Sequence, residues 1–318
     1  MTRILSRNGW VLGLGVLLLA LLVLTRLIQP GFGASGIESL ARASLPFAFA
    51  AAAMAVVVIA GGIDLSVASM MAVAGVTAAR MMDGVEGAGA APVVLLVLLV
   101  GALMGAVNGL LIVWTRLPDI VVTLGMLFVW EGTALLILNA PGGDATPWLR
   151  AVVLGPLTVL GLSVPKSLLV LALMLALIWV PLRRSKLGLS IYAIGSDATA
   201  AFRSGVPIGR TRVAAYAIAG VLAALGGLSL TLSTGNGEPI PGPYLLAAVA
   251  SAVLGGVALT GGKGGLLGPI LAVFILRAVR LDLTLLSVDP NVSSIVEGVI
   301  LALIVMMGGL LAMRERRT

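Results

Sequence analysis

The sequence contains no cysteine and no histidine, and charged residues make up only 10% of its 318 positions. Without cysteine there is no disulfide framework and no thiolate chemistry. Without histidine the commonest general base and the commonest metal ligand are both missing. A soluble domain carries about 25% charged residues, so a surface this poor in charge is too apolar to face water. Aromatic residues are only 4% of the chain, and no basic patch interleaves with them, which excludes nucleic-acid binding despite the formal charge of +7.

What remains is mostly hydrophobic, at 60% of all residues. Apolar runs of about twenty residues, the length that crosses a hydrocarbon core, recur along the whole chain. The expected fold is an all-α integral membrane protein with about ten transmembrane helices. The spans fall near 9–29, 39–61, 65–82, 91–114, 119–140, 167–182, 212–233, 244–260, 266–281 and 292–313. No segment reads as a soluble domain or long linker, so residues 1–318 form a single transmembrane domain. The first span follows Arg3 and Arg7 and lacks a clear small-residue cleavage site, so it is expected to stay as an anchor.

The basic residues set the orientation. With the N-terminus in the cytoplasm, thirteen of the twenty lie inside: Arg3, Arg7, Arg116, Arg183, Arg184, Lys186, Arg203, Arg210, Arg212, Lys263, Arg314, Arg316 and Arg317. Seven lie outside, a bias that favours both termini in the cytoplasm. Two loops stand out. Residues 141–166, outside, hold Gly142, Gly143, Pro147, Pro156 and Pro165. Residues 183–212, inside, form the longest and most basic loop. Its middle, 196–204, is expected to be a short helix: Asp197 can cap it, Ala198, Ala200 and Ala201 favour it, and Gly205 with Pro207 ends it. Gly101, Gly105 and Gly109 recur every four positions on one face of the fourth span, a spacing that lets helices approach closely. Packing within the chain is the preferred reading over a dimer interface.

Four stretches carry the functional signal. Gly61-Gly62-Ile63-Asp64-Leu65-Ser66 breaks the helix between spans two and three, and Asp64 or Ser66 can accept the N–H groups that begin the next one. In Leu117-Pro118-Asp119-Ile120-Val121-Val122-Thr123-Leu124-Gly125, Pro118 suits a helix start and Asp119 its positive end. The third is the long inside loop, from Tyr192-Ala193-Ile194-Gly195 through Ser204-Gly205-Val206-Pro207. The fourth, Gly255-Gly256 to Gly264-Gly265, has a lysine but not the order of a phosphate loop, since Gly264 follows Lys263. It reads as a tight interhelical turn, and any ATP must be bound by another chain.

Together, in this order and spacing, the four resemble the permease subunits of ribose-type ATP-binding cassette importers, which serve sugars and related polar solutes. The resemblance covers nearly the whole chain. It implies a fold like that of the vitamin B12-type importers, with two permease subunits, identical or related, enclosing a pathway. It also implies a separate ATPase that binds ATP and magnesium, an extracytoplasmic solute-binding protein, and the bacterial inner membrane as location. No cofactor, metal or catalytic residue is expected in this chain. By the same resemblance the loop 183–212 holds the coupling helix that seats on the ATPase, through Ser196, Asp197, Ala200, Ala201, Phe202, Arg203, Ser204 and Gly205. Gly61, Gly62, Asp64, Ser66, Pro118 and Thr123 are expected at the gate. Asp197, Asp119 and Ala68 depart from the family's usual residues and argue against transferring a substrate from any relative.

Polar groups within spans are expensive in lipid and should face protein or a cavity. Asn108, Trp130 and Glu131 are therefore the candidate solute contacts, Glu131 and Asn108 the clearest, with Ser66, Thr123 and Glu297 also weighed as weaker candidates. Two other classes compete. An ion-gradient-driven secondary transporter would show inverted halves with broken helices and would have no role for the coupling-type loop. A membrane-embedded enzyme would need a convergent set of nucleophile, acid, base or metal ligands, which these scattered carboxylates do not form.

Overall fold

The computed structural model describes residues 2–159 and 161–315. Thirteen helices are seen among them. In chain order they are α1 (Thr2–Ile28), α2 (Ala34–Ile59), α3 (Val67–Met82), α4 (Ala90–Thr115), α5 (Asp119–Ile137), α6 (Pro147–Val153), α7 (Lys166–Arg184), α8 (Lys186–Ser196), α9 (Ala198–Arg203), α10 (Ile208–Thr234), α11 (Tyr244–Leu254), α12 (Leu267–Leu285) and α13 (Pro290–Glu315). A hairpin, β1 (Pro156–Val159) with β2 (Leu162–Pro165), pairs antiparallel between α6 and α7.

Among the described residues, six helices are long and apolar enough to cross a membrane: α1, α2, α4, α5, α7 and α10. The chain is a multi-pass membrane protein. Helices also occupy the other four segments expected to span, with differences of physical origin. α3 and α11 are apolar but shorter. The span expected over 244–260 stops at Leu254, because Gly255 and Gly256, the latter at φ +83°, turn the chain against Gly268 and Pro269. α12 carries Arg277, Arg280 and Asp282. Arg316 and Arg317, counted for orientation, lie outside the described residues.

α2 and α10 form the core. In α2, 83% of the most apolar window is buried by protein, against 11% in α1, which faces outward. Alanine explains the difference: Ala48 and Ala50–Ala53 carry little side chain, so neighbouring helices close on the backbone. The two helices run antiparallel, with Pro46 against Gly226 and Gly62 against Tyr216. Around them the packing repeats. α10 lies along α4 and α3, as α2 lies along α12 and α11, and α5 packs on α3 as α13 packs on α11. The two halves are thus inverted copies of one packing unit.

The glycine row of α4 faces α10. Gly101 meets Gly220, Gly105 meets the Tyr216 carbonyl, and Gly109 meets Val213. These glycines serve packing within the chain, as the preferred reading held. The 141–166 loop is more ordered than its prolines foretold: Pro147 opens α6, where a missing N–H costs nothing, and the hairpin follows. α1 is tied to the bundle by Trp10, which donates to the Leu254 carbonyl at 2.7 Å, and by Thr25, which donates to Asp282 at 2.6 Å.

Candidate functional site

The Gly61–Ser66 turn is the junction of the molecule at the end that carries α8 and α9. The helix α2 ends because Gly61 takes φ +82°, a conformation that a side chain would strain. Asp64 then sits fully buried, at 0% exposure. Its Oδ1 accepts the Ser66 N–H at 2.9 Å and the Ser66 hydroxyl at 2.6 Å. Asp64, not Ser66, is therefore the acceptor at the start of α3.

Two networks radiate from this turn. In the first, the Asn108 amide on α4 donates to Ser66 Oγ at 2.7 Å and accepts from Trp130 Nε1 on α5 at 3.1 Å. A continuous chain of hydrogen bonds links the turn to α4 and α5. In the second, the Thr123 hydroxyl donates to the Ile63 carbonyl at 3.2 Å. The Tyr216 hydroxyl on α10 donates to Asp119 Oδ2 at 2.8 Å, and Arg212 stands 3.6 Å from Asp119 Oδ1. Tyr216 and Arg212 had no local sequence signal; they meet Asp119 only because α10 packs beside the start of α5. Pro118 occupies the N-cap position of α5, and Asp119 its first turn.

Among the described residues Asp64 Oδ2 has no hydrogen-bond partner, and Arg212 is engaged with Asp119. Burial pushes the Asp64 carboxyl above the usual carboxylate range, against the Ser66 hydrogen bonds and the nearby Asn108 amide, which pull it down. A raised folded-state value means stability that is present at acid pH and lost as pH rises through that value. Replacing Asp64 by Asn removes this loss. The Asp64→Asn variant should therefore gain more thermal stability over the native chain at pH 8 than at pH 5, in detergent. A gain that is larger at pH 5 contradicts the assignment.

The loop expected to couple holds two helices, not one. α8 begins where the Ser185 hydroxyl accepts the Gly188 N–H at 3.1 Å. It ends with Gly195 wedged against Gly61, the Ile59 carbonyl and Gly262, while Gly262 N–H donates to that carbonyl at 2.9 Å. Tyr192 donates to the Gly264 carbonyl at 2.7 Å. The glycine-rich turn after α11 and the end of α8 thus clamp the Gly61–Ser66 turn. α9 follows at once, because Asp197 accepts from Thr199 N–H at 2.8 Å and Ala200 N–H at 2.9 Å. Gly205 closes it at φ +81°. Ser196, Asp197, Ala200, Phe202, Arg203, Ser204 and Gly205 are exposed. Ala201 differs from expectation: it is buried and anchors α9, leaving Phe202, 69% exposed, as the apolar prow.

Of the candidate solute contacts, Asn108 is fully buried and its amide is committed to Ser66 and Trp130. Trp130 is half-buried. Glu131 is half-buried on α5 and, among the described residues, makes no hydrogen bond or ion pair. No group of three or more carboxylates that could hold a metal ion occurs among the described residues.

A multi-span helical bundle that offers a clamped polar turn and a protruding helix pair, and no nucleotide loop, has the form of a transport subunit. Residues 36–305 match the family described as the permease component of the branched-chain amino acid transport system, and the chain belongs to that family of ABC transporter permeases. It is a transporter subunit and not an enzyme, and ATP hydrolysis in this family is carried by a separate ATPase. Its relatives include the autoinducer 2 import system permease protein LsrD of Escherichia coli strain K12 and that of Shigella flexneri. Each is 29% identical over 313 residues, covering 94% of this chain and 92% of the relative. No solved structure matches the chain.

Proposed function

We propose that this chain is the membrane-spanning half of an ATP-driven importer for a sugar or sugar-like polar solute, delivered by an extracytoplasmic binding protein. Its fold is that of the vitamin B12-type importers, with ten spans and both termini in the cytoplasm of a bacterial inner membrane. A second permease subunit completes the pathway. The observation that carries this reading is the contact of Gly195 with Gly61, which joins the exposed α8–α9 unit to the polar turn. Phe202 seats on the ATPase, and movement of α9 passes through Gly195 to the turn and from there to α5 by way of Thr123, Asp119 and the Asn108–Trp130 pair. Asn108 acts as a positioning residue for Trp130, while Trp130 and Glu131 meet the solute.

The inverted halves were expected of an ion-gradient-driven transporter. Here they occur in a member of an ABC permease family, so that feature does not separate the two classes. Energetics does. In proteoliposomes, the assembled complex should take up solute only with ATP on the ATPase side, and the purified chain alone should neither hydrolyse ATP nor transport. Uptake by the chain alone, driven by a proton or sodium gradient, overturns the proposal.

A further inference from the structure

Arg277 lies near the middle of α12, beside the midpoint of α2, and none of the roles above uses it. Its guanidinium sits over the Phe47 ring, 4.8 Å from the centroid, and Tyr244 packs on the same ring at 4.4 Å. A guanidinium carries five N–H donors and no acceptor. Among the described residues Arg277 makes no hydrogen bond or ion pair, and its Nε is buried without a partner. The nearest carboxylate on α13, Glu297, is engaged by Arg280 at 3.0 Å. An aromatic face attracts the cation but accepts none of its in-plane N–H groups. Unmet donors on a charge at this depth are costly. A helix that only needed to pack against Phe47 would use an apolar residue.

We propose that Arg277 is a solute-binding residue of the pathway, its free N–H edge taking paired acceptor oxygens of an anionic or polyhydroxylated solute, with Phe47 and Tyr244 holding the guanidinium in place. This rests on the importer reading for the identity of the ligand as cargo. The site itself requires only that water and oxygen acceptors reach Arg277.

The absence of cysteine from the chain makes the test direct, because an introduced thiol is its only one. Phe274→Cys, one turn from Arg277 on α12, reports on the site in the full-length protein in membranes. The probes are an anionic methanethiosulfonate, bearing a sulfonate, and a cationic one, bearing a trimethylammonium group, read by the mass of this chain. Relative to each reagent's rate with a free thiol in solution, the anionic reagent should be favoured about tenfold over the cationic one, as one nearby unit charge in a partly wet site produces. Arg277→Gln should abolish the preference and Arg277→Lys should restore most of it. If this cysteine does not react, or if the preference is absent or survives Arg277→Gln, the proposal is overturned. The labelling uses neither ATP nor a solute, so loss of the importer reading and loss of this site are separate outcomes.

Discussion

Phe202→Asp is expected to leave the protein inserted in the membrane yet abolish solute-stimulated ATP hydrolysis by the assembled complex. α9 is only six residues long and is held by the Asp197 cap on one side and the buried Ala201 on the other. What it presents is one aromatic ring. A single buried aromatic anchor contributes about 2 kcal/mol or more to an interface, and a carboxylate in its place must be desolvated without a partner. Gly205→Val attacks the same element through the backbone: φ +81° costs a β-branched residue about 1–2 kcal/mol, enough to reorient α9. The measurement is ATP hydrolysis with and without solute-loaded binding protein, alongside the amount of complex recovered. If both variants assemble and keep normal stimulation and uptake, α9 is not the coupling element.

A large structural effect belongs to Gly105. A Cβ there falls within van der Waals contact of the Tyr216 carbonyl, backbone against backbone, so no rotamer relieves it. Gly105→Leu should therefore drive α4 from α10, at a cost above the about 1–3 kcal/mol typical of overpacking, and remove the protein from the monodisperse peak in size-exclusion chromatography. Gly125→Leu is the control, since open space surrounds Gly125 on α5. It should be recovered at the native level with an unchanged melting temperature. Recovery of Gly105→Leu at the native level would mean that the α4–α10 seam is looser than its geometry.

The difference between these two glycines could be half seen in the sequence. The period of four in Gly101, Gly105 and Gly109 marks a helix face, and composition marks the spans. The Asp197 cap and the Gly205 stop were legible because capping is local chemistry, settled within four residues. Asp119 was legible only as a helix-start residue; its bond to Tyr216 joins residues 97 apart in the chain and depends on how α10 packs. Arg277 had no local signal for the same reason: only the pairing of α2 with α12 brings it over Phe47. The α8 helix was hidden by its neighbours, since basic residues before it and glycines within it resemble a connector.

The alanine run of α2 has a consequence for how the protein is made. Its mean hydropathy over the best window is 1.9, against 2.6 for α1 and α4, because alanine was selected for close packing at the expense of affinity for lipid. A segment leaving the translocon partitions by its own side chains, before the helices that will later bury it have been synthesised. α2 thus enters the bilayer as a weakly held span and becomes secure only when α10, translated about 150 residues later, closes on it. Truncation before α10 should therefore leave α2 without its main protein cover and open to quality-control proteases.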